Sequence, residues 1–338
     1  MRRRAVRKCS KGTLIQPIPG YFASPQRWQS ASIKQRAIAT IRAVAQNHAH
    51  WPLSSISAAA VLGAMCNNAD LYRFIHFSVD IHTSTQNRKR LPVRFHYIKT
   101  GRSPKIRFLL SDEKSTSTRN TYIPISETLG MINGFIVTSP LQTIFDCMRM
   151  LPFEDALIIC DKLAKRYNIT YNQIVQFTVK RSGCWKVRYA AFKQRFIDPQ
   201  SENGGESFCR ARMLRSGFTQ PELQVELPNP LFKIKRPNRY DIQNSKTIRP
   251  DFLWKISDEN ATFKYIAAEL DGKEKYSKPS LIVNSHSTST QGVILKEKDR
   301  ETALNLAGYK VIRFQFFEAA QSDGAAMSEK LLLAGVPR

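Results

Sequence analysis

The sequence predicts an α/β protein, α+β overall, in which an α+β region precedes a domain with a mixed sheet flanked by helices. Three observations favour this fold class: the chain has 338 residues, 42% of them are hydrophobic, and helical and strand patterns follow one another along it. This length favours two domains, each able to bury a core of its own. The polar, glycine-bearing stretch DPQSENGG at 198–205 predicts the boundary between them.

The first region is predicted to start with a hairpin and two helices. Residues 12–24 place β-prone residues on both sides of a Pro-Gly turn. Residues 34–46 then place Ile38, Ile41 and Ala45 at helical spacing. A second helix is predicted in SSISAAAVLGAM, whose serines suit an N-cap.

Strands and further helices complete this region. LYRFIHFSVDI and LPVRFHYIKT are strand-like, and a basic polar segment separates them. Residues 138–166 predict two helices, the first capped by Thr138 or Ser139 and the second starting at Pro152. A basic helix is predicted from about residue 181. The predicted organisation is a region over 1–180, a helical linker and polar break over 181–205, a domain over 206–320 and a tail or helix over 321–338.

The second domain is predicted to combine helices and strands into one mixed sheet. A helix, a turn and a strand come first, followed by a basic loop and two strands. An exposed loop, a helix and a last strand complete the order. The segments concerned are ESFCRARMLRSG, FTQPE, LQVEL, KIKRPNRYDIQN, RPDFLW, KYIAAEL, LKEKDRETALNLAG and YKVIRFQF.

Positive charge is concentrated in the first region. The chain has 52 Lys and Arg against 27 Asp and Glu, a net charge of +25, and residues 1–130 hold 21 basic and 5 acidic residues. A surplus of this size favours a polyanionic partner, because basic side chains that neutralise phosphates release condensed counterions. DNA is therefore the expected partner, against the alternative of a basic surface that is merely solvated.

The sequence signatures of several protein classes are absent from this chain. The six cysteines form no CxxC pair, the six histidines show no HxH or HExxH spacing, and neither GxGxxG nor GxxxxGK[ST] occurs. We expect free thiols in a reducing cytoplasm, and neither a zinc hydrolase nor a nucleotide cofactor. MRRRAVRK begins like a signal peptide, but no apolar run follows, and we expect no membrane association. Trp51, Trp185 and Trp254 are expected to be core anchors rather than platforms for base stacking.

Three acidic residues stand out in this basic chain, on two strands predicted to be neighbours. Asp251 lies in RPDF, and Glu269 and Asp271 lie in ELDGKEK, where alternate residues of a strand point to one face. Like charges at close range are costly unless a cation lies between them, and carboxylate oxygens suit Mg²⁺ or Mn²⁺. Such a metal activates water for phosphodiester hydrolysis. The alternative is a strand-end cap at Asp251 and an ordinary turn before Gly272.

Four blocks of the second domain occur in a characteristic order: GGESFCRARMLRSGFTQPELQVE, RPDFLW, AAELDGKEKY and KEKDRETALNLAGYKVIRF. Over roughly residues 200–318 the chain thereby resembles the PD-(D/E)XK nuclease-like domain related to very-short-patch-repair endonucleases, a domain of unknown function in many bacteria. The resemblance implies a restriction-endonuclease-like fold. It also implies that Glu206 on the first helix gathers with Asp251, Glu269 and Asp271 around a metal.

One position departs from the family pattern. The usual motif carries Lys two residues after the second acid, where this chain has Asp271, so the lysine that positions the water must be Lys273 or Lys275. Asp271-Gly272-Lys273 spells D-x-K, which keeps Lys273 open. Lys275 matches the basic position of the family's DGxxKY or DGxxHY block and is preferred. Gln224 matches a polar residue that precedes the acidic strands.

Three blocks of the first region also form a pattern: GTLIQPIPGYFAS, SSISAAAVLG and GFIVTSPLQTIFDCMRMLPFEDALIICDKL. They resemble the AbiEi-type antitoxin and regulator proteins. The resemblance implies a remnant winged helix, in which residues 12–24 are the wing and the recognition helices are missing or reduced to MRRRAVRKC. Three residues match positions in these blocks: Ser54, Ser57 and Asp146. The alternative interpretation is structural, with the serines capping a helix and the aspartate lying on a helix face.

These observations predict a bacterial cytoplasmic protein with a basic DNA-binding region and an endonuclease domain that depends on Mg²⁺ or Mn²⁺. The metal would be bound by Asp251, Glu269 and Asp271. The predicted catalytic residues are Glu206, Asp251, Glu269, Asp271, Lys275 and Lys273. The alternative is a non-catalytic DNA-binding regulator or antitoxin of the AbiEi type, for which a toxin would be the partner.

Overall fold

The computed structural model describes residues 2–80, 91–98, 121–232, 245–257, 263–271 and 290–338. The chain divides into two compact units, a first unit over Met1–Pro199 and a second unit over Gln200–Arg338. The division falls inside the polar stretch 198–205, and residues 181–199 belong to the first unit. Lys273 and Lys275 lie outside the described residues, as does the whole of the predicted basic loop, residues 233–244.

Helices form much of the first unit. In the described residues they are α1 (Arg2–Ser10), α2 (Pro25–Ser30), α3 (Ile33–Gln46), α4 (Ser55–Val61), α5 (Pro140–Met150), α6 (Phe153–Arg166), α7 (Tyr171–Val179) and α8 (Val187–Lys193). α3 confirms the helix predicted over 34–46 and buries Ile41 and Val44. It begins with a capping box, in which the side chains of Ser32 and Gln35 each accept from the other's backbone N–H.

Three small sheets lie in the described part of the first unit. They are the hairpin β1 (Ile15–Ile18) and β2 (Tyr21–Ala23), the parallel pair β3 (Ile75–Val79) and β4 (Val93–Tyr97), and the antiparallel set β5 (Tyr122–Pro124), β6 (Leu129–Ile132) and β7 (Phe135–Thr138). The hairpin turns at Gly20, whose φ of +88° glycine adopts without steric cost. The predicted hairpin and the two predicted strands of residues 71–100 are confirmed.

The two helices predicted over 138–166 are confirmed as α5 and α6. Ser139 is the cap of α5, because its Oγ accepts from the N–H of Gln142 at 3.2 Å. Pro140 occupies the first turn, where its missing N–H costs no hydrogen bond. Pro152 is the residue from which α6 starts.

Three local predictions in the first unit are wrong. Ser54 precedes α4, but its side chain makes no capping hydrogen bond. The basic helix predicted from about residue 181 starts only at Val187, because the preceding residues form turns and Lys186 has a left-handed backbone with φ of +57°. Trp185, expected in the core, is 64% exposed.

The second unit follows the predicted order of helices and strands. Its described elements are α9 (Gly204–Arg215), β8 (Glu222–Leu223), β9 (Leu227–Pro228), β10 (Thr247–Ile248), β11 (Phe252–Ser257), β12 (Phe263–Asp271), α10 (Thr290–Leu306), β13 (Lys310–Gln315), α11 (Phe316–Ala320) and α12 (Ala325–Ala334). The predicted strand LQVEL is divided into β8 and β9, because Gln224 between them has a left-handed backbone with φ of +51°.

A mixed four-stranded sheet forms the centre of the second unit, in the order β13-β12-β11-β8. β12 and β13 are parallel, and β11 is antiparallel to β12 and β8. On one face Phe252 and Trp254 pack with Met213 of α9, and on the other Leu253 packs with Leu304 of α10. The predicted mixed sheet flanked by helices is therefore confirmed for this unit.

All six cysteines are free, as expected. None of the helices in the described ranges is long and apolar enough to cross a membrane.

Candidate active site in the second unit

Two acidic side chains lie side by side where β11 begins and β12 ends. Phe252 pairs with Ala268 in the antiparallel register, so Asp251, one residue earlier, lies across from Glu269. The N–H of Leu270 donates to Asp251 Oδ2 at 2.8 Å and holds this carboxylate against β12. The sheet register therefore brings together two of the acidic residues that the sequence singles out.

The third carboxylate, Glu206, comes from the first turn of α9. Asn203 caps this helix, because its Oδ1 accepts from the N–H groups of Gly205 and Glu206. The Glu206 carboxylate accepts from the N–H of Glu202 at 2.7 Å and from Asn203 Nδ2 at 2.5 Å. Glu206 is only 3% exposed, so these local bonds supply the partners that a buried carboxylate requires.

Gln224 connects Glu206 with Asp251. Its Nε2 lies 3.4 Å from Glu206 Oε2 and 3.5 Å from Asp251 Oδ1. Its left-handed backbone, uncommon for a residue other than glycine, is also what separates β8 from β9. The break in the edge strand thus places an amide donor between two carboxylates.

Glu269 and Asp271 each face an arginine. Arg300 of α10 places its Nε 2.7 Å from Glu269 Oε1. Arg313 of β13 donates its Nε to Asp271 Oδ1 at 3.0 Å and lies beside Glu269 in the parallel register. The structure therefore brings Glu206, Asp251 and Glu269 to one place and pairs Asp271 with Arg313.

Burial raises the pKa of all three clustered carboxyl groups. The pKa of Glu206 rises to about 7, mainly through burial and further through the charge of Asp251, against a hydrogen bond from a backbone N–H. Burial also raises the pKa of Asp251, and the charge of Arg300 opposes this rise. For Glu269 burial raises the pKa, Arg300 opposes the rise and Asp251 adds to it. A cation between these carboxylates would stabilise their ionised forms.

A cavity of about 240 Å³ opens beside Asp251. Gln224, Arg249 and Arg300 also line it. Arg249 places Nη2 2.7 Å from Glu202 Oε1, and Arg300 donates to the Arg249 carbonyl. The carboxylates of Asp251 and Glu202 and two guanidinium groups therefore border one space, which is larger than the ~30 Å³ occupied by one water molecule and has room for a phosphate group.

The donor set suits a magnesium ion held by few protein ligands. In the described part of the chain, no three His, Cys, Asp or Glu residues converge closely enough to hold a metal ion. Mg²⁺, however, commonly takes one or two protein carboxylates, and waters and a substrate phosphate complete its shell. Asp251 and Glu269 would supply that number, whereas Asp271 is engaged by Arg313. The roles of Lys273 and Lys275 stay predictions.

Sequence reasoning missed the two arginines of the cavity. Arg249 stands immediately before Pro250 and Asp251, and Arg300 lies in the block KEKDRETALNLAG. The sequence feature that could have indicated them is the presence of basic residues in the same motif blocks as, or next to, the acidic residues. Neither spacing nor periodicity reveals that their side chains converge.

Two of the three residues singled out in the first unit, Ser57 and Asp146, have internal hydrogen-bond partners, whereas the buried Ser54 hydroxyl has none among the described residues. Ser57 Oγ accepts from the N–H of His76 at 2.9 Å, which ties α4 to β3. Asp146 is fully buried, contacts Arg149 at 2.5 Å and accepts from Gln142 Nε2 at 3.0 Å. These contacts hold secondary-structure elements together and satisfy buried polar groups.

Comparison with known proteins adds no relative: no family model, no curated protein and no solved structure matches the chain. The relationships to the nuclease-like and AbiEi-type families therefore stay predictions carried by the motifs.

Proposed function

We propose that the second unit hydrolyses phosphodiester bonds of DNA with the help of Mg²⁺ or Mn²⁺. One observation carries the proposal: Asp251 and Glu269 lie together, and the cavity beside Asp251 is also lined by Arg249 and Arg300. Paired carboxylates attract a hard cation, and guanidinium groups bind phosphate oxygens. Phosphodiester hydrolysis needs both in one space.

Each residue of the cluster has a distinct task in this proposal. A metal bound by Asp251 and Glu269 would polarise the phosphate and lower the pKa of its water. Gln224 donates toward Asp251 and limits its rotation. Arg300 borders the cavity while it contacts Glu269, so a phosphate there would meet a cation. Glu206, with its pKa near 7, can hold or release a proton close to Asp251 at neutral pH.

The arrangement of the second unit supports a restriction-endonuclease-like domain. Its mixed sheet packs against α9 on one face and α10 on the other, and Asp251 and Glu269 lie at strand ends. In the first unit the basic helix α1 directly precedes the hairpin of β1 and β2, an order that suits a reduced winged helix bound to DNA. Both assignments belong to the proposal.

Cleavage of supercoiled plasmid and of single-stranded DNA tests this function. Nicked or shortened products should form with Mg²⁺ or Mn²⁺ and not with EDTA. Calorimetric titration should detect metal binding that Asp251→Asn removes. A wild-type protein that binds neither metal and leaves both substrates intact contradicts the proposal.

A non-catalytic regulator or antitoxin is the second candidate, and the arginine contacts favour it. Arg300 and Arg313 give Glu269 and Asp271 counterions from the chain itself, so the cluster is partly compensated without a metal. The second unit would then serve as a binding module, and a toxin would be its partner. DNA binding and promoter repression without cleavage, in the presence of Mg²⁺, would favour this candidate.

A further inference from the structure

Three large aromatic rings lie exposed in and just before the last helix of the first unit. Trp185 is 64% exposed, Tyr189 46% and Phe192 52%. Tyr189 and Phe192 are three residues apart on α8 and share one of its faces, and Trp185 lies in the turn that leads into this helix. We call these three rings the 185–192 surface.

The buried side of α8 is fixed to the first unit. Ala190 and Lys193 are buried, and Lys193 Nζ donates to the carbonyl of Leu151 at 2.6 Å and lies 3.9 Å from the centre of the Tyr189 ring. Just after the helix, Gln194 Oε1 accepts from the hydroxyl of Thr178 at 2.6 Å. These bonds anchor the helix, so its exposed rings are held on a fixed support.

Basic groups accompany the rings. Lys186 Nζ lies 4.4 Å from the centre of the Trp185 ring, a cation–π contact. Arg195 Cζ lies 4.8 Å from the centre of the Phe192 ring. Residues 179–195 hold five Lys and Arg besides the buried Lys193, and no Asp or Glu. The surface therefore combines apolar rings with charge of a single sign.

We propose that the 185–192 surface binds single-stranded nucleic acid, with bases stacked on the rings and phosphates on the surrounding Lys and Arg side chains. Single strands expose the base faces that a duplex hides, and basic grooves with aromatic rings bind them with little sequence preference. A second copy of the chain would bring the same cations to this surface, so charge complementarity favours a polyanion. The inference rests on the proposed function only in taking nucleic acid as the partner.

The test measures the affinity of the full-length protein for labelled oligothymidine by fluorescence anisotropy. EDTA is present throughout, so metal-dependent cleavage plays no part. The protein should bind oligothymidine and oligouridine of about 15 nucleotides more tightly than a duplex of the same length. The double variant Tyr189→Ala with Phe192→Ala should bind the single strands at least about tenfold more weakly, and Trp185→Ala at least about fivefold.

Two variants serve as matched controls. Tyr189→Phe keeps the ring and should bind like the wild type. Tyr171→Ala removes a ring that is 50% exposed elsewhere in the first unit and should also bind like the wild type. Arg188→Gln with Arg195→Gln keeps all three rings and should lower the salt slope of single-strand binding by about 1.4, because each lost phosphate contact removes about 0.7.

Unchanged single-strand affinity in the double ring variant would overturn the inference. An equal loss in Tyr171→Ala would do the same, as would a ring variant that converts a dimer to a monomer in sedimentation experiments. A protein that binds single strands through these rings but never cleaves DNA would uphold this inference and contradict the proposed nuclease. Metal-dependent cleavage by a protein whose ring variants bind normally would uphold the nuclease and contradict this inference.

Discussion

Arg300 Nε lies 2.7 Å from Glu269 Oε1, and this contact joins α10 to β12 at the candidate site. The Glu269 side chain is 6% exposed and the Arg300 side chain 35%, so the carboxylate is buried while the cation stays partly solvated. The guanidinium opposes the rise in the Glu269 pKa that burial causes. Arg300 is therefore both a structural link and a competitor of any metal for this carboxylate.

Arg300→Gln should leave Glu269 buried without its cation. We expect the free energy of unfolding at pH 8 to fall by about 1–3 kcal/mol, less than for a fully buried pair because Arg300 is partly exposed. The loss should be smaller at pH 5, because the Glu269 carboxyl is more readily protonated there and a neutral carboxyl needs no counterion. Urea unfolding at both pH values measures this, with Arg300→Lys as the charge-retaining control. Equal losses of the free energy of unfolding at the two pH values would contradict the role of Arg300 as the counterion of Glu269.

In the proposed nuclease, Asp251→Asn removes a carboxylate that would hold the metal, at nearly constant volume, and keeps an acceptor for the N–H of Leu270. We expect cleavage to fall about 100-fold or more, because a catalytic metal contributes several kcal/mol. DNA affinity should stay within a few-fold of the wild type. Glu226→Gln, which alters an exposed carboxylate of the same unit, is the matched control. Full activity in Asp251→Asn would refute the site.

Lys275→Ala and Lys273→Ala test which lysine would position the water in the proposed nuclease. Lys275 matches the basic position of the family block, so Lys275→Ala should lose cleavage while Lys273→Ala keeps most of it. The reverse result would favour the D-x-K register of Asp271-Gly272-Lys273. Initial rates at saturating Mg²⁺ decide between them, and parallel DNA-binding measurements exclude a mere loss of phosphate contact. If both variants are fully active, neither lysine takes part in the proposed cleavage.

The raised pKa of Glu206 predicts a contribution to stability that falls as pH rises. Its ordinary pKa is 4.5 and its folded value about 7, so the folded protein holds this proton more tightly than the unfolded chain. The contribution is full below pH 4.5 and is lost as the pH rises through about 7. Glu206→Gln should flatten this part of the profile and exceed the wild type at pH 8 by up to about 3 kcal/mol. Urea unfolding of both proteins from pH 4.5 to 8 tests this prediction. Parallel plots of the free energy of unfolding against pH for the wild type and Glu206→Gln would contradict it.

The basic helix α1 should contribute to DNA affinity through charge alone. Arg3, Arg4 and Arg7 are exposed, and replacing all three by Gln should weaken binding to duplexes of any sequence. The slope of log affinity against log salt should fall by about 2.7, because each lost contact removes about 0.9. Lys264→Gln, an exposed position in the second unit, should leave the slope nearly unchanged. An unchanged slope in the triple variant would exclude α1 from the interface.

Features that depend on near neighbours in the chain were predictable from the sequence. Ser139 and Pro140 mark the start of α5, and the Pro-Gly turn at Gly20 marks the hairpin, because capping and turn chemistry act within a few residues. The strands that carry Asp251 and Glu269 were likewise predictable from composition and length. Their antiparallel pairing follows the expected connection of neighbouring strands.

The remaining features depend on residues far apart in the chain. The contact of Arg300 with Glu269 arises from the packing of α10 on β12, which no local spacing specifies. Trp185 is exposed because the buried side of α8 is anchored through Lys193, and the tryptophan precedes that helix in a turn with a left-handed residue. Hydrophobicity alone predicted the core for this ring, and tertiary packing decided otherwise.

The pairing of Asp271 with Arg313 constrains how this chain could acquire the lysine of the nuclease motif that it resembles. A single change of Asp271 to Lys would restore the lysine of that motif, but it would place a second cation beside the Arg313 guanidinium. Positions 271 and 313 are therefore expected to change together in descendants or relatives that carry the lysine. The order of the two steps would also matter, because loss of Arg313 first leaves Asp271 uncompensated, whereas gain of the lysine first creates repulsion between like charges. The residue types at positions 271 and 313 are therefore coupled, and Arg313 is expected wherever Asp271 is kept.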